Sequence, residues 1–309
     1  MRPSILAKKI LIMTFLVTLI AGSNVGLIDA QGPPSYPPAE LDKLVTRVAL
    51  YPDPLLAQIL AAATYPDQIP DAAKWADEHH YLRGDDLARA ITEDHLPWDP
   101  SVQALLPFPS VLEMMASDMN WTSELGNAFL AQQQDVMDAV QRMRRKARDY
   151  GYLRSNGQVV VASGPYITIL PVNPAFICVP VYDPAIVFFP PRPGFFVGGA
   201  IGFGFGITIG FAFRPWGWGV SHFAWDRHEL YVGDARWGRT WANRNTYVHP
   251  YHGYQRWSGP RGPEHHEAIP RSPAERNAAH EGHPRPEEQH HAPQGGHHAP
   301  QGEHHGDHH

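Results

Sequence analysis

Apolar and polar positions along the chain follow different periods in different stretches. Leu41, Leu44, Val45 and Val48 recur at the spacing that puts side chains on one face of a helix, and Leu55, Leu56, Ile59, Leu60 and Ala63 repeat the pattern in the next segment. Phe129, Val136, Met143 and Tyr150 return every seven residues, with Val140 and Ala147 beside them. That stripe predicts one long helix from about Thr122 to Tyr150, stopped at Gly151. Residues 40–152 therefore read as a helical domain. From Gln158 to Phe189 the pattern changes to β-branched runs cut by proline, QVVVASGPYITILPVNPAFICVPVYDPAIVFF. These predict short strands confined to edges or strand ends, in a β-rich segment over 153–193. The fold class that follows is α+β.

Aspartate before proline punctuates the elements at Asp53-Pro54, Asp99-Pro100 and Asp183-Pro184. A carboxylate can take an orphan amide while the proline presets the first helical φ, so the first two pairs predict helix starts and the third, in β-like surroundings, a turn. Trp75, Trp98 and Trp121 read as core. The basic cluster Arg142, Arg144, Arg145, Lys146 and Arg148 reads as a solvated face that suits the negative end of its helix.

A second stretch, GFFVGGAIGFGFGITIGFAF over 194–213, is 20 residues long without a charge and carries two periods at once. Gly194, Gly198, Gly202, Gly206 and Gly210 recur every fourth residue, which on a helix makes a continuous ridge of the kind that lets membrane helices approach closely and self-associate. From Ile201 to Phe213 large and small residues also alternate, which is the period of a strand. As a helix, residues 195–213 would reach about 28 Å, close to the hydrocarbon thickness of a bilayer. A lone strand in lipid would leave its backbone without partners. These considerations place a membrane-associated glycine-zipper helix ahead of a strand packing its phenylalanine face into a core.

The flanks locate the chain. Residues 1–30 carry Arg2, Lys8 and Lys9, then an apolar run from Ile10 to Ile20, then small and polar residues, the layout of a secretory signal peptide. A Pro-rich spacer follows over 31–39. The expected destination is the cell envelope, in the periplasm or at the outer membrane. Segment 214–257 mixes Trp225, Trp237, Trp241 and Trp257 with arginine and histidine, which suits a membrane interface, a glycan-stacking surface or a plain aromatic cluster. Segment 258–309 holds a single member of the Ile, Leu, Val and Phe set, Ile269, and reads as a disordered tail.

Composition changes this picture only in part. A net charge of -6 gives no reason to expect nucleic acid. Cys178 is the single cysteine, which excludes an intramolecular disulfide and a cysteine zinc site and reads as a buried thiol. His222, Asp226, His228 and Glu229 could ligate a metal but match no established spacing. The tail holds 12 of the 19 histidines, with His290, His291, His297, His298, His304, His305, His308 and His309 in pairs that could gather round Zn, Ni or Cu. Apart from that, no cofactor is expected. The tail carries four arginines against eight acidic residues, and its histidines would reverse that sign on protonation. Asp53, Asp67, Asp85 and Asp86 are the carboxylates available for glycan hydrolysis, and each is explained as a cap or turn residue.

The blocks LVTRVALYPDPLLAQILAAATYP, LLPFPSVLEMMASDMNWTSELGNAF with DVMDAVQRMR, and ITILPVNPAFICVPVYDP resemble the exported bacterial proteins grouped as domain of unknown function 3300. The likeness covers roughly residues 40 to 257 and departs after about His249. It implies an exported character and an association with outer-membrane proteins, and no activity. The reading is a non-enzymatic envelope protein with a membrane, a homo-oligomer or an envelope glycan as its partners. A metal-buffering tail and a glycan-binding or glycan-processing protein are the alternatives.

Overall fold

The computed structural model describes residues 32–194 and 197–249. Helix α1 (Pro38–Val45) opens with a proline at its first position and buries Leu41, Leu44 and Val45. Helix α2 (Asp53–Ala63) is buried on almost every side, Gln58 included, as its all-round apolar sequence requires. Later helices and strands pack against it on several sides. Helices α3 (Ile69–Glu78), α4 (Gly84–Glu93), α5 (Pro100–Gln103) and α6 (Pro109–Ser117) follow. Trp75 and Trp121 are buried and Trp98 packs against the same core.

The long helix expected from Thr122 to Tyr150 is two helices, α7 (Met119–Ala131) and α8 (Gln133–Asp149). They break at Gln132, whose backbone lies at φ -139° and ψ 49°. The Gln132 side chain is used elsewhere: its Oε1 accepts from Tyr36 N at 2.6 Å and its Nε2 donates to Asp135 at 2.9 Å. The stripe Phe129, Val136, Val140, Met143 and Ala147 is nevertheless buried on both sides of the break. Gly151 ends α8 with φ +82°, and Tyr152 N and Leu153 N return to Ala147 O.

Where α7 crosses α2, the chains touch backbone to backbone. A Cβ added at Gly126 would lie 1.9 Å from Ala63 O, so only glycine permits the crossing. Of the three Asp-Pro pairs, Asp99 caps α5 by accepting from Ser101 N at 2.9 Å. Asp183 accepts from Ala185 N at 2.8 Å and opens a one-turn helix, α9 (Pro184–Val187), where a turn was expected. Asp53 caps nothing and is drawn into the core instead.

The remaining elements are short antiparallel strands laid against the helices and sharing their core. Strands β1 (Val159–Ser163) and β2 (Ile167–Pro171) form a hairpin with Val159, Ile167 and Ile169 turned inward. Strands β3 (Phe176–Ile177) and β4 (Pro180–Tyr182) pair with β6 (Ile207–Thr208) and β5 (Ile201–Phe203), respectively. Strands β7 (His222–Ala224), β8 (Glu229–Val232) and β9 (Ala235–Arg236) make a meander packed on α2. Trp216, Trp218, Trp225 and Trp237, before and within this stretch, are buried, and the indoles of the first three donate to Gln103, Ala104 O and Asp53 of the helical part.

The described part of the glycine segment, residue 194 and residues 197–213, is not an α-helix. It forms β5, β6 and the start of a 3₁₀ turn over Phe211–Trp216. The reason is the availability of partners: residues 176–182 offer a backbone ladder, and the glycines that would weaken a helix cost less there. Gly194 and Gly198 fall in turns, Gly202 in a strand, and Gly206 and Gly210 outside one, so they form no common ridge. No helix among the described residues is long and apolar enough to cross a membrane.

Candidate functional site

Two polar networks inside the molecule account for its most chemistry-bearing side chains. Arg144 is fully buried. Its guanidinium donates to Asp53 Oδ1 at 2.6 Å and to the carbonyls of Ala49, Tyr51 and Ile167 at 2.8 to 3.0 Å. Asp53 in turn accepts from Trp225 Nε1 at 3.0 Å and Ile169 N at 3.3 Å, and the guanidinium lies 5.1 Å from the Trp225 ring. The expectation that the α8 basic cluster is simply solvated is therefore corrected at Arg144. A buried ion pair persists only where its remaining hydrogen-bonding capacity is filled, and here the chain leading into α2, strand β2 and the Trp225 indole fill it.

At the other end of α2, Arg239 lies 3.6 Å over the Tyr65 ring and donates to Thr64 O at 2.5 Å, Thr64 Oγ1 at 2.9 Å and Arg244 O at 2.7 Å. Burial, and then the Asp99 carboxylate, push the Tyr65 hydroxyl pKa far above its ordinary value. Burial lowers that of Arg239. Trp237 packs edge-on to Tyr65 and also meets Tyr247 and His249, so this cluster clamps the turn after β9 onto the helices. Both networks are spent on holding the fold.

The other sequence candidates are dispersed. His222 stacks on Tyr231, His228 Nε2 meets Asp138 at 2.9 Å, and Glu229 takes Arg227 and Arg236, so the proposed ligands do not converge. Among the described residues no group of three His, Cys, Asp or Glu side chains could hold a metal. The eight paired tail histidines, residues 1–30 with the layout expected of a signal peptide, and Trp257 lie outside the described residues. Trp225 and Trp237 are buried rather than presented to a ligand, and Trp241 is half-buried. Cys178 is only half-buried, and burial raises its thiol pKa.

What remains is the surface around the glycine segment. Pairs Phe176↔Thr208 and Ile177↔Ile207 at one end and Pro180↔Phe203 through Tyr182↔Ile201 at the other leave Cys178 and Val179 facing Gly204, Phe205 and Gly206. Two residues oppose three, so the ribbon carries a β-bulge, bridged by Gly204 N donating to Val179 O at 3.3 Å. A Cβ at Gly206 would meet Phe176 Cβ at 3.3 Å, so the bulge packs closely at this glycine. Simple alternation would put Phe205 on the inner face with Phe203 and Ile207. At the bulge it stands fully in solvent. Phe176 and Val181 lie on the outer face of the same ribbon, and Phe211, capped by Arg214 at 4.6 Å, is 74% exposed just beyond it. Beside the ribbon, α9 and the chain after it leave Ile186 and Phe189 in water. The sequence signal that could have located this surface was the alternation itself; the bulge that redirects it depends on the partner strand.

The chain belongs to the family described as protein of unknown function DUF3300, whose model matches residues 37–259. It is similar to the uncharacterized protein YacH of Escherichia coli (strain K12), 34% identical over an alignment of 187 residues, with 50% of this chain and 30% of that one covered. The chain thus spans less than a third of that relative's length. No solved structure matches.

Proposed function

We propose that this is an exported envelope protein, non-enzymatic, that attaches to a membrane surface through the apolar face of its bulged ribbon. The observation that supports it is the exposure of Phe176, Val181, Phe205 and Phe211 along one strand pair and the turn that follows it. Large exposed apolar patches mark protein or membrane contacts. The membrane role foreseen for the glycine segment is kept, but with insertion of side chains from a ribbon in place of a spanning helix. The non-enzymatic part is supported by the carboxylates available for glycan chemistry. Asp53 is engaged in the core, Asp85 and Asp86 stand in the first turn of α4 with Asp86 paired to Arg89, and Asp67 sits in a 3₁₀ turn.

Flotation of the purified protein with liposomes tests the reading. Burying one phenylalanine is worth about 2 kcal/mol, so Phe205→Ser should lower vesicle binding by more than tenfold while leaving the unfolding midpoint unchanged. Equal flotation of the two proteins, or none by either, would remove the proposal.

A further inference from the structure

Two cavities of about 390 Å³ each lie on either side of Ala185 and Phe189. One runs between α1, α8 and α9 over Met143 and Phe188; the other continues past Ile186 to Tyr152. A third, of about 260 Å³, takes up from Tyr152 toward Ile201 and Phe203. Successive cavities share lining residues and so adjoin as a mostly apolar groove, and each of the two larger ones is within the size range of small-molecule sites. Its rim is cationic. Among the described residues Lys43, Lys146, Arg192 and Arg154 line it against a single acid, Asp42, and Asp42 is taken by Arg142 at 2.7 Å and Lys146 at 3.6 Å. Among the described residues neither Lys43 nor Arg192 has an ion-pair partner.

We infer that this groove binds one acyl chain of a membrane lipid with an anionic headgroup, the chain lying along Phe188, Phe189 and Ile186 and the headgroup meeting the cation at one end of that path, Lys43 or Arg192. A mostly apolar trough suits an alkyl chain, since it offers dispersion contacts along its length and asks for few hydrogen bonds. Unpaired cations at its edge favour a negative headgroup over a zwitterionic one. The inference rests on the membrane reading above and gives it a ligand class, but it uses side chains other than Phe205.

The test uses single-chain lipids below their micellar concentration, so that no membrane is present. Titration calorimetry or native mass spectrometry should show lysophosphatidylglycerol bound roughly tenfold more tightly than lysophosphatidylcholine. Lys43→Glu with Arg192→Glu should abolish that preference, and Ala185→Trp, at an exposed position lining both larger cavities, should abolish binding of both lipids. Phe205→Ser should bind both as the parent does while losing flotation. No binding of either lipid, or binding undiminished in Ala185→Trp, would overturn the groove assignment, whatever the vesicle result. An unchanged headgroup preference in the double variant would overturn the role of the cations.

Discussion

Asp53 shows how a residue changes meaning between chain and fold. Before proline it has the form of a helix cap, yet its carboxylate serves Arg144, Trp225 and Ile169 inside the core. Removing one partner of such a pair leaves an uncompensated buried charge, so Arg144→Ala should cost about 3–5 kcal/mol in urea unfolding. Its neighbour Arg145, exposed on the same helix, should cost under about 0.5 kcal/mol when replaced by alanine. His249 supplies the pH dependence. Burial beside Trp237 and Tyr247 lowers its pKa below 6.5, against the opposing pull of Asp99 and Asp234. The folded state therefore holds the imidazole neutral, and its contribution is complete above about 6.5 and lost as pH falls through the lower folded value. Stability measured at pH 5 should fall relative to pH 7.5, and His249→Phe should reduce that fall.

At the scale of elements, the contest between propensity and packing can be decided at Gly126. Alanine is the better helix former by up to about 1 kcal/mol, but its Cβ would strike the carbonyl of Ala63 in the crossing helix. Backbone cannot rotate aside, so Gly126→Ala should destabilise by about 1–3 kcal/mol, read from the urea midpoint, instead of stabilising. Periodicity located the strip that α7 and α8 bury but not the break between them, because Gln132 is diverted by Tyr36, a residue 96 positions away. The same limit applies to the ribbon. Alternation from Ile201 onward is visible in the chain, whereas the residue that leaves the pattern, Phe205, is set by the register of β3 and β4 across from it. Removing Phe205 altogether should merge the two registers into one and eliminate the bulge, which hydrogen exchange of the Gly204–Gly206 amides would report as increased protection.

For the whole molecule, the helices and the later strands form one core, with the tryptophans of 216–237 packed under the helices that precede them. The clamps at Arg144 and Arg239 join elements separated by 91 and 175 positions. Among the described residues that construction leaves apolar side chains in solvent around the ribbon and α9, and also on the outer side of the β1–β2 hairpin at Val160, Leu170 and Val172. The membrane proposal belongs to this scale. In fractionated cell envelopes the intact chain should sediment with membranes, and a chain carrying Phe205→Ser and Phe211→Ser should shift to the soluble fraction while remaining folded.

Local pattern determined the α+β class, the helix faces, the start of α5 at Asp99, the stop at Gly151 and the family, because each depends on residues within a few positions of one another. Tertiary structure alone decided that the glycine segment is a ribbon, that Asp53 and Arg144 meet, and that Phe205 points outward. Each of these requires a distant partner: a strand to complete hydrogen bonds, a counter-charge to offset desolvation, a register to place the extra residue. A periodicity held within one segment carries no information about which partner the fold will bring to it.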